Sequence, residues 1–81
     1  MRTKKQIRMN GLEDVREFVK LAGECDFDID IYYNRITIDA KSILGVLSLD
    51  LTKALTVEYA GTNDKFEEFL TSHFSDKVAV A

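Results

Sequence analysis

The chain has 81 residues, a formal net charge of -3 and a sequence pI of about 5.0, which indicate one small domain and argue against a basic nucleic-acid interface. A domain of this length buries only about 60–65% of its unfolded surface, so a large enclosed active site is excluded. The lone cysteine, Cys25, rules out an internal disulfide. Together with the lack of a signal-peptide pattern, it leads us to expect a cytoplasmic protein. No apolar run approaches the ~20 residues that cross a bilayer.

The first part of the chain predicts a strand, a helix and a second strand, all within one domain spanning 1–81. Residues 2–9 alternate weakly and carry the lysines and arginines typical of an edge strand. A helical stripe follows, with Asn10 and Glu13 predicted as its capping box and Gly23 as its end. Residues 26–34 alternate strictly between apolar and polar side chains, which predicts a strand with one wet face.

The second part predicts a tight turn, a strand, a short helix, a strand and a final helix. Asn34 and Arg35 form the turn, and "ITID" is a strand with Ile36 and Ile38 facing inward. "SILGVLSL" is a short helix capped by Ser42, and "TKALTVEYA" is the last strand. "GTNDKFEEFLTSHF" is a helix capped by Thr62 or Asn63, followed by the tail "SDKVAVA". The apolar stripe of this helix consists of Phe66, Phe69, Leu70, His73 and Phe74.

This order of elements, βαββαβα, predicts an α+β fold. The apolar faces of four strands need one cover, and the two longer helices supply it. We therefore predict a four-stranded antiparallel sheet with helices on one face and water on the other. The polar alternation of the second strand requires that open face.

Several candidate chemical groups favour plain structural interpretations. Asp26, Asp28 and Asp30 are about 6.5–7 Å apart at alternate strand positions, too far for one cation, so no metal or other cofactor is predicted. His73 is a candidate acid–base group or phosphoryl acceptor, but a half-buried histidine near a helix C-terminus is favoured. No Ser-His-Asp set, GxxxxGK or CxxC pattern supports an enzyme.

Ser42 has two interpretations. Serine is a favoured helix N-cap, because its hydroxyl oxygen satisfies a free backbone N–H. The same position also presents the hydroxyl where a phosphoryl group would be stabilised by the helix end. Ile43, Leu44 and Leu47 are more apolar side chains than one face of a short helix can bury, so we expect a partner-binding patch beside Ser42. The pattern alone does not decide whether Ser42 is only a helix N-cap or also a phosphorylation switch.

Four stretches, "KSILGVLSLDL", "YYNRITIDAKS", "NGL" and "EYAGTNDKFEEFL", resemble HPr, the histidine-containing phosphocarrier of the bacterial sugar phosphotransferase system. The first is similar to the family's regulatory serine segment, which reads Lys-Ser-Ile-Met-Gly-Val-Met-Ser-Leu-Gly in Gram-positive bacteria. The resemblance spans nearly the whole chain. It implies the family's open-faced β-sandwich, whose element order is the one predicted above.

The chain departs from the family where the phosphorylated histidine is expected. In HPr a glycine–leucine pair precedes that histidine, whereas Gly11 and Leu12 are followed by Glu13 and Asp14. Arg16 is a candidate remnant of the family arginine. Phosphoryl transfer through an imidazole nitrogen requires an imidazole, and added carboxylates repel phosphate. His73 is far away in sequence, so the resemblance implies a degenerate site without phosphocarrier activity.

The resemblance carries over to Ser42 as the residue phosphorylated by an HPr kinase/phosphorylase. It also implies that Ile43, Leu44 and Leu47 contact that kinase and, as in Gram-positive relatives, a transcriptional regulator. A nearby difference is Asp50, which replaces a usual glycine. The predicted function is therefore a non-catalytic regulatory or interaction protein, without nucleic-acid binding or membrane insertion.

Two alternatives to this function stay open. One is a phosphocarrier whose phosphoryl acceptor has moved to His73 or to an acidic residue. The other is a relative in fold alone, which binds an unrelated partner, for example through Asp28 or Asp30 on the acidic strand face.

Overall fold

Residues 2–75 are described by a computed structural model, and their elements follow the predicted order. The elements are β1 (Thr3–Ile7), α1 (Leu12–Glu24), β2 (Ile29–Tyr33), β3 (Ile36–Asp39), α2 (Ile43–Leu47), β4 (Leu55–Tyr59) and α3 (Asp64–Ser72). Of the predicted tail only Ser75 belongs to the described residues, and the remainder lies outside them. Within residues 2–75, no helix has both the length and the apolar character needed to cross a membrane.

The four strands form one antiparallel sheet in the order β1-β4-β2-β3. This confirms β1 as an edge strand. Pairing places Lys5, Val57 and Ile31 in one row across the sheet, and Gln6, Thr56 and Tyr32 in the next. Because successive strand residues point to opposite faces, the first row faces the helices and the second faces water. We call these sides the helix face and the open face.

The core lies between the helix face and the helices α1 and α3. Phe18 of α1 is fully buried and packs against Phe66 and Phe69 of α3, with ring centroids 5.8 Å apart in both pairs. Phe66 in turn packs against Tyr59 of β4, with the two rings nearly perpendicular and their centroids 5.5 Å apart. The predicted inward residues of β4, namely Leu55, Val57 and Tyr59, are all buried. The predicted open-faced arrangement is confirmed.

The predicted ends of α1 are wrong by one or two residues. The N-cap is Gly11, which has no side chain, and Asp14 rather than Glu13 reaches back to accept the backbone N–H of Asn10 at 2.9 Å. A capping-box carboxylate stands three residues after the N-cap. Because the N-cap is Gly11 and not Asn10, this role passes from Glu13 to Asp14. Gly23 does not end the helix, which continues to Glu24.

Two predicted inward residues are exposed. Ile36 is 54% exposed, because it follows the turn on the edge strand β3, where α2 covers only the far end near Ile38. Phe74 is also exposed, since α3 ends at Ser72 and the chain turns to bridge Ile7 along the edge of β1. The predicted caps Ser42 and Asn63 and the tight turn at Asn34, with φ of 57°, are confirmed.

A polar network that the sequence pattern did not reveal ties the sheet to α3. Glu67 accepts hydrogen bonds from the buried Tyr59 hydroxyl and, at 2.6 Å, from Lys5 Nζ. Burial raises the pKa of Tyr59, and its bond to Glu67 raises that pKa further. Burial also opposes ionisation of Glu67, but the donors Lys5 and Tyr59 hold its pKa below the ordinary value. The ionised carboxylate is therefore the form that the fold stabilises.

Tyr59→Phe tests this network. We expect the free energy of unfolding at neutral pH to fall by about 1.5–3 kcal/mol, because one hydrogen bond to a charged acceptor is lost. A carboxylate with a depressed folded-state pKa stabilises the protein above its unfolded pKa, and this stabilisation is lost as pH falls through the folded pKa. The difference between the variant and the native chain should therefore shrink in acid. Urea unfolding at neutral and acidic pH measures it.

Tyr33→Phe is the matched control, because the Tyr33 hydroxyl forms no side-chain hydrogen bond within residues 2–75. An equal loss of stability in both variants, or a loss that is unchanged in acid, would contradict the role given to Glu67.

Candidate functional site

Ser42 begins α2 and presents its hydroxyl at the surface. Its backbone is extended, with φ of -102° and ψ of 106°, and its Oγ accepts the backbone N–H of Gly45 at 3.2 Å. Its carbonyl accepts the N–H of Val46 at 2.9 Å, which closes the first turn. Ser42 is therefore an N-cap, as predicted, and its side chain is solvent-exposed. A hydroxyl in this position is accessible to a modifying enzyme while it also holds the helix.

Most of α2 stays outside the core. Val46 is the one buried residue among its five, whereas Leu44 is 80% exposed, Ile43 38% and Leu47 39%. Three apolar side chains thus form an exposed surface next to Ser42, which we call the α2 patch (Ile43, Leu44 and Leu47). The expectation that this short helix cannot bury all its apolar residues is confirmed.

The start of α1 forms a second surface beside this segment. Gly11, Leu12, Glu13 and Asp14 line a shallow cleft of about 250 Å³ together with Asn10. Leu12, Glu13 and Arg16 are exposed, and Asp14 is half-buried. Another cleft, of about 340 Å³, runs between this loop and the one that follows α2, and its walls include Gly11 and Leu51. The region where the family histidine was expected therefore adjoins the serine segment.

The fold brings His73 to this same end of α1, although the two are far apart in sequence. His73 caps α3, and its ring stacks on Phe69 with centroids 4.0 Å apart. Its Nδ1 lies 2.9 Å from the Phe69 carbonyl oxygen, and its Nε2 lies 3.4 Å from Asp14 Oδ1. A carbonyl only accepts, so Nδ1 carries the proton and Nε2 faces Asp14. We expected His73 to lie away from Asp14 only because the two residues are far apart along the chain.

Electrostatics around Asp14 favour its ionised form. The backbone N–H of Asn10 lowers the pKa of Asp14 below its ordinary value, burial opposes this, and His73 adds to the lowering. Asp14 is thus a fixed negative charge at the N-terminal end of α1, where acidic residues suit the helix dipole.

The remaining candidates from the sequence do not converge on this region. Asp30 lies on the open face and pairs with Arg2 at 3.3 Å. Among residues 2–75 no group of three metal-ligating side chains could hold a metal ion. Cys25 is buried at the end of α1, and burial raises the pKa of its thiol, which disfavours a thiolate nucleophile.

Comparisons with known proteins agree on one family. The family model described as "PTS HPr component phosphorylation site" matches residues 14–72. No curated protein sequence gives a significant match.

Similar solved structures are phosphocarriers of the same type. HPr from Bacillus anthracis str. Ames has a TM-score of 0.68 and 22% identity, with coverage of 93% of this chain and 96% of that one. HPr from Thermoanaerobacter tengcongensis has a TM-score of 0.66 and 19% identity, with coverage of 98% and 96%. A mycoplasma histidine-containing phosphocarrier has a TM-score of 0.59 and 13% identity, with coverage of 89% and 85%. At these identities the likeness establishes the fold.

Replacement of Ser42 tests its role as a cap. We expect Ser42→Ala to lower the free energy of unfolding by about 1 kcal/mol, because the Gly45 N–H loses its acceptor, and Ser42→Gly to cost only a few tenths. Ser48→Ala is the control, since Ser48 lies at the other end of α2 and only donates locally to the Gly45 carbonyl. Thermal unfolding compares the three variants. Equal stability of Ser42→Ala and the native chain would show that the cap is not needed.

Proposed function

The chain belongs to the HPr family of the phosphotransferase system, and we propose that it acts there as a cytoplasmic regulatory or interaction protein switched by phosphorylation of Ser42. One observation carries the proposal: an exposed serine hydroxyl caps a helix whose neighbouring apolar side chains are also exposed. The protein is then a substrate and binding partner of other proteins, and not an enzyme.

The position of Ser42 gives phosphorylation two local effects. A phosphoryl group adds nearly two negative charges, which the helix end stabilises by about 0.3–1 kcal/mol. Lys41 does not neutralise them in the present arrangement, because its Nζ donates to the Cys25 carbonyl at 3.1 Å. The new charge stands directly beside the α2 patch. A partner that binds apolar side chains together with a phosphate would select the modified form, and a purely apolar partner would be repelled.

The α2 patch is the proposed contact surface for protein partners. Leu44 is its centre, because most of that side chain is in water when the protein is alone. Leu12 on the neighbouring helix α1 is a further exposed apolar residue, so the surface extends toward the first helix. We assign this surface to an HPr kinase/phosphorylase and to a partner of the transcriptional-regulator class.

The start of α1 supports loss of the ordinary phosphocarrier reaction. Gly11 and Leu12 are followed by Glu13 and the ionised Asp14, and no imidazole belongs to this helix. Two carboxylates at that point repel an incoming phosphoryl group. In this proposal Gly11, Leu12, Glu13, Asp14 and Arg16 form a degenerate histidine site that no longer carries phosphate.

A second candidate function rests on the contact between His73 and Asp14. The only imidazole of the chain reaches the end of α1 where the family acceptor is expected, and its Nε2 lies 3.4 Å from Asp14 Oδ1 while Nδ1 is occupied by the Phe69 carbonyl. In this alternative, Nε2 attacks phosphorus and the phosphoryl group leaves its donor for His73. Asp14 opposes the transfer by its charge, which is why we place this candidate second.

Incubation with ATP and an HPr kinase/phosphorylase tests the leading proposal, with intact-mass spectrometry as the measurement. We expect one added phosphate on the native chain and none on Ser42→Ala. Ser48→Ala is the matched control and should be phosphorylated like the native chain, because it leaves the Ser42 hydroxyl in place. Absence of phosphate on the native chain while an ordinary HPr is labelled in parallel would contradict the proposal.

Incubation with phosphoenolpyruvate and enzyme I tests the second candidate. The expected product is an acid-labile phosphate that is absent from His73→Gln and retained by Ser42→Ala, because a phosphoramidate on imidazole hydrolyses in acid whereas a serine ester does not. An unlabelled native chain beside a labelled ordinary HPr would exclude His73 as an acceptor.

A further inference from the structure

A cationic pocket lies on the open face of the sheet. It is a depression of about 370 Å³ whose walls include Gln6, Arg8, Tyr32, Asn34, Lys53 and Thr56. Arg8 directly follows β1, and Lys53 belongs to the loop before β4, so the two cations approach from neighbouring strands. Within the described part of the chain, residues 2–75, no carboxylate lines the pocket. In a chain with a net charge of -3, a site with two cations and no acid is conspicuous.

The side chain of Arg8 lacks a partner among the described residues. Its Nε is buried and has no hydrogen-bond acceptor, and Arg8 takes part in none of the ion pairs within residues 2–75. A buried donor without an acceptor is unfavourable, and native proteins rarely keep one without a reason. The guanidinium forms no side-chain hydrogen bond within residues 2–75, so its other N–H donors are free for an anion that enters the pocket.

The other arginine on the open face is already paired. At the opposite end of β1, Arg2 is paired with Glu58 at 3.0 Å and with Asp30 at 3.3 Å. Near the pocket, Asp50 interacts with Lys53, but its Oδ1 accepts from Thr52 N–H at 3.1 Å and from the Thr52 hydroxyl at 2.6 Å. The Asp50 carboxylate therefore already accepts hydrogen bonds within its own turn. The positive charge of Arg8 and Lys53 stays available.

The floor of the pocket adds neutral donors and an aromatic wall. Gln6, Thr56 and Tyr32 occupy one row across β1, β4 and β2. Gln6 Nε2 donates to Thr56 Oγ1 at 3.3 Å, so the Thr56 hydroxyl is free to donate its own proton outward. The half-buried ring of Tyr32 provides a flat surface beside these donors. Oxyanions suit the polar part, and a ring or other planar group suits the aromatic part.

We propose that this open-face pocket binds a small organic phosphate monoester. Its phosphate is held by the guanidinium of Arg8 and the ammonium of Lys53, and its organic part lies against Tyr32. Arginine offers forked donors that match phosphate oxygens, and lysine adds a point charge. This site is separate from Ser42 and does not depend on the function proposed above.

NMR titration with phenyl phosphate and, separately, with inorganic phosphate tests the proposal. We expect saturable shifts of the Arg8 Nε–Hε signal and of amides in residues 32–34 and 53–56, with tighter binding of phenyl phosphate because its ring adds contact with Tyr32. Arg8→Gln and Lys53→Gln should each weaken binding about tenfold, since each removes one charge-assisted contact. Lys53 is exposed in a loop, so its replacement leaves the fold intact.

Lys4→Gln is the matched control, because it removes the same charge from the same face of β1 outside the pocket. It should bind phenyl phosphate like the native chain, as should Ser42→Ala. Shifts that do not saturate, or an equal weakening by Lys4→Gln, would reduce the effect to general charge attraction and overturn the site. Equal affinity for phenyl phosphate and inorganic phosphate would overturn the assignment to an organic phosphate.

Discussion

The close contact between Gly45 and Ile38 holds the serine helix against the sheet. A Cβ built on Gly45 would lie 2.6 Å from Ile38 Cγ2 and 3.1 Å from Ser42 Oγ, so any larger residue would displace α2 from β3 and disturb the cap. The absence of a side chain at Gly45 lets a helix of five residues rest on the edge strand with only Val46 buried. The exposure of Ser42 and of the α2 patch follows from this arrangement.

The two faces of the sheet carry different polar and charged groups. On the helix face, Glu67 accepts hydrogen bonds from Tyr59 and Lys5 beside the aromatic rings of the core. That network fastens β1 and β4 to α3, and α3 in turn places His73 beside Asp14 at the start of α1. On the open face, Arg2 is paired with Glu58 and Asp30 at one end, whereas Arg8 at the other end forms no ion pair within residues 2–75. The proposed partner surface on α2 and the proposed ligand pocket on the open face therefore use different side chains.

Local patterns predicted the order of the elements and the cap at Ser42, because strand alternation, helical spacing and capping all depend on neighbours in sequence. They did not predict the start of α1, where a shift of one residue moves the capping role from Asn10 to Gly11. Local patterns also did not predict contacts between distant segments, such as the contact between His73 and Asp14. The exposure of Ile36 follows from the position of β3 at the sheet edge, which the strand pattern alone does not give.

The most direct test of a switchable partner surface on α2 is a hydrogen–deuterium exchange footprint of the chain bound to an HPr kinase/phosphorylase. Our account predicts protection in residues 42–51, weaker protection at the start of α1, and none in β2 and β3. The footprint should disappear with Leu44→Asp, which places a charge in the centre of the patch. Protection of β2 or β3 on the open face, with residues 42–51 unchanged, would contradict the account.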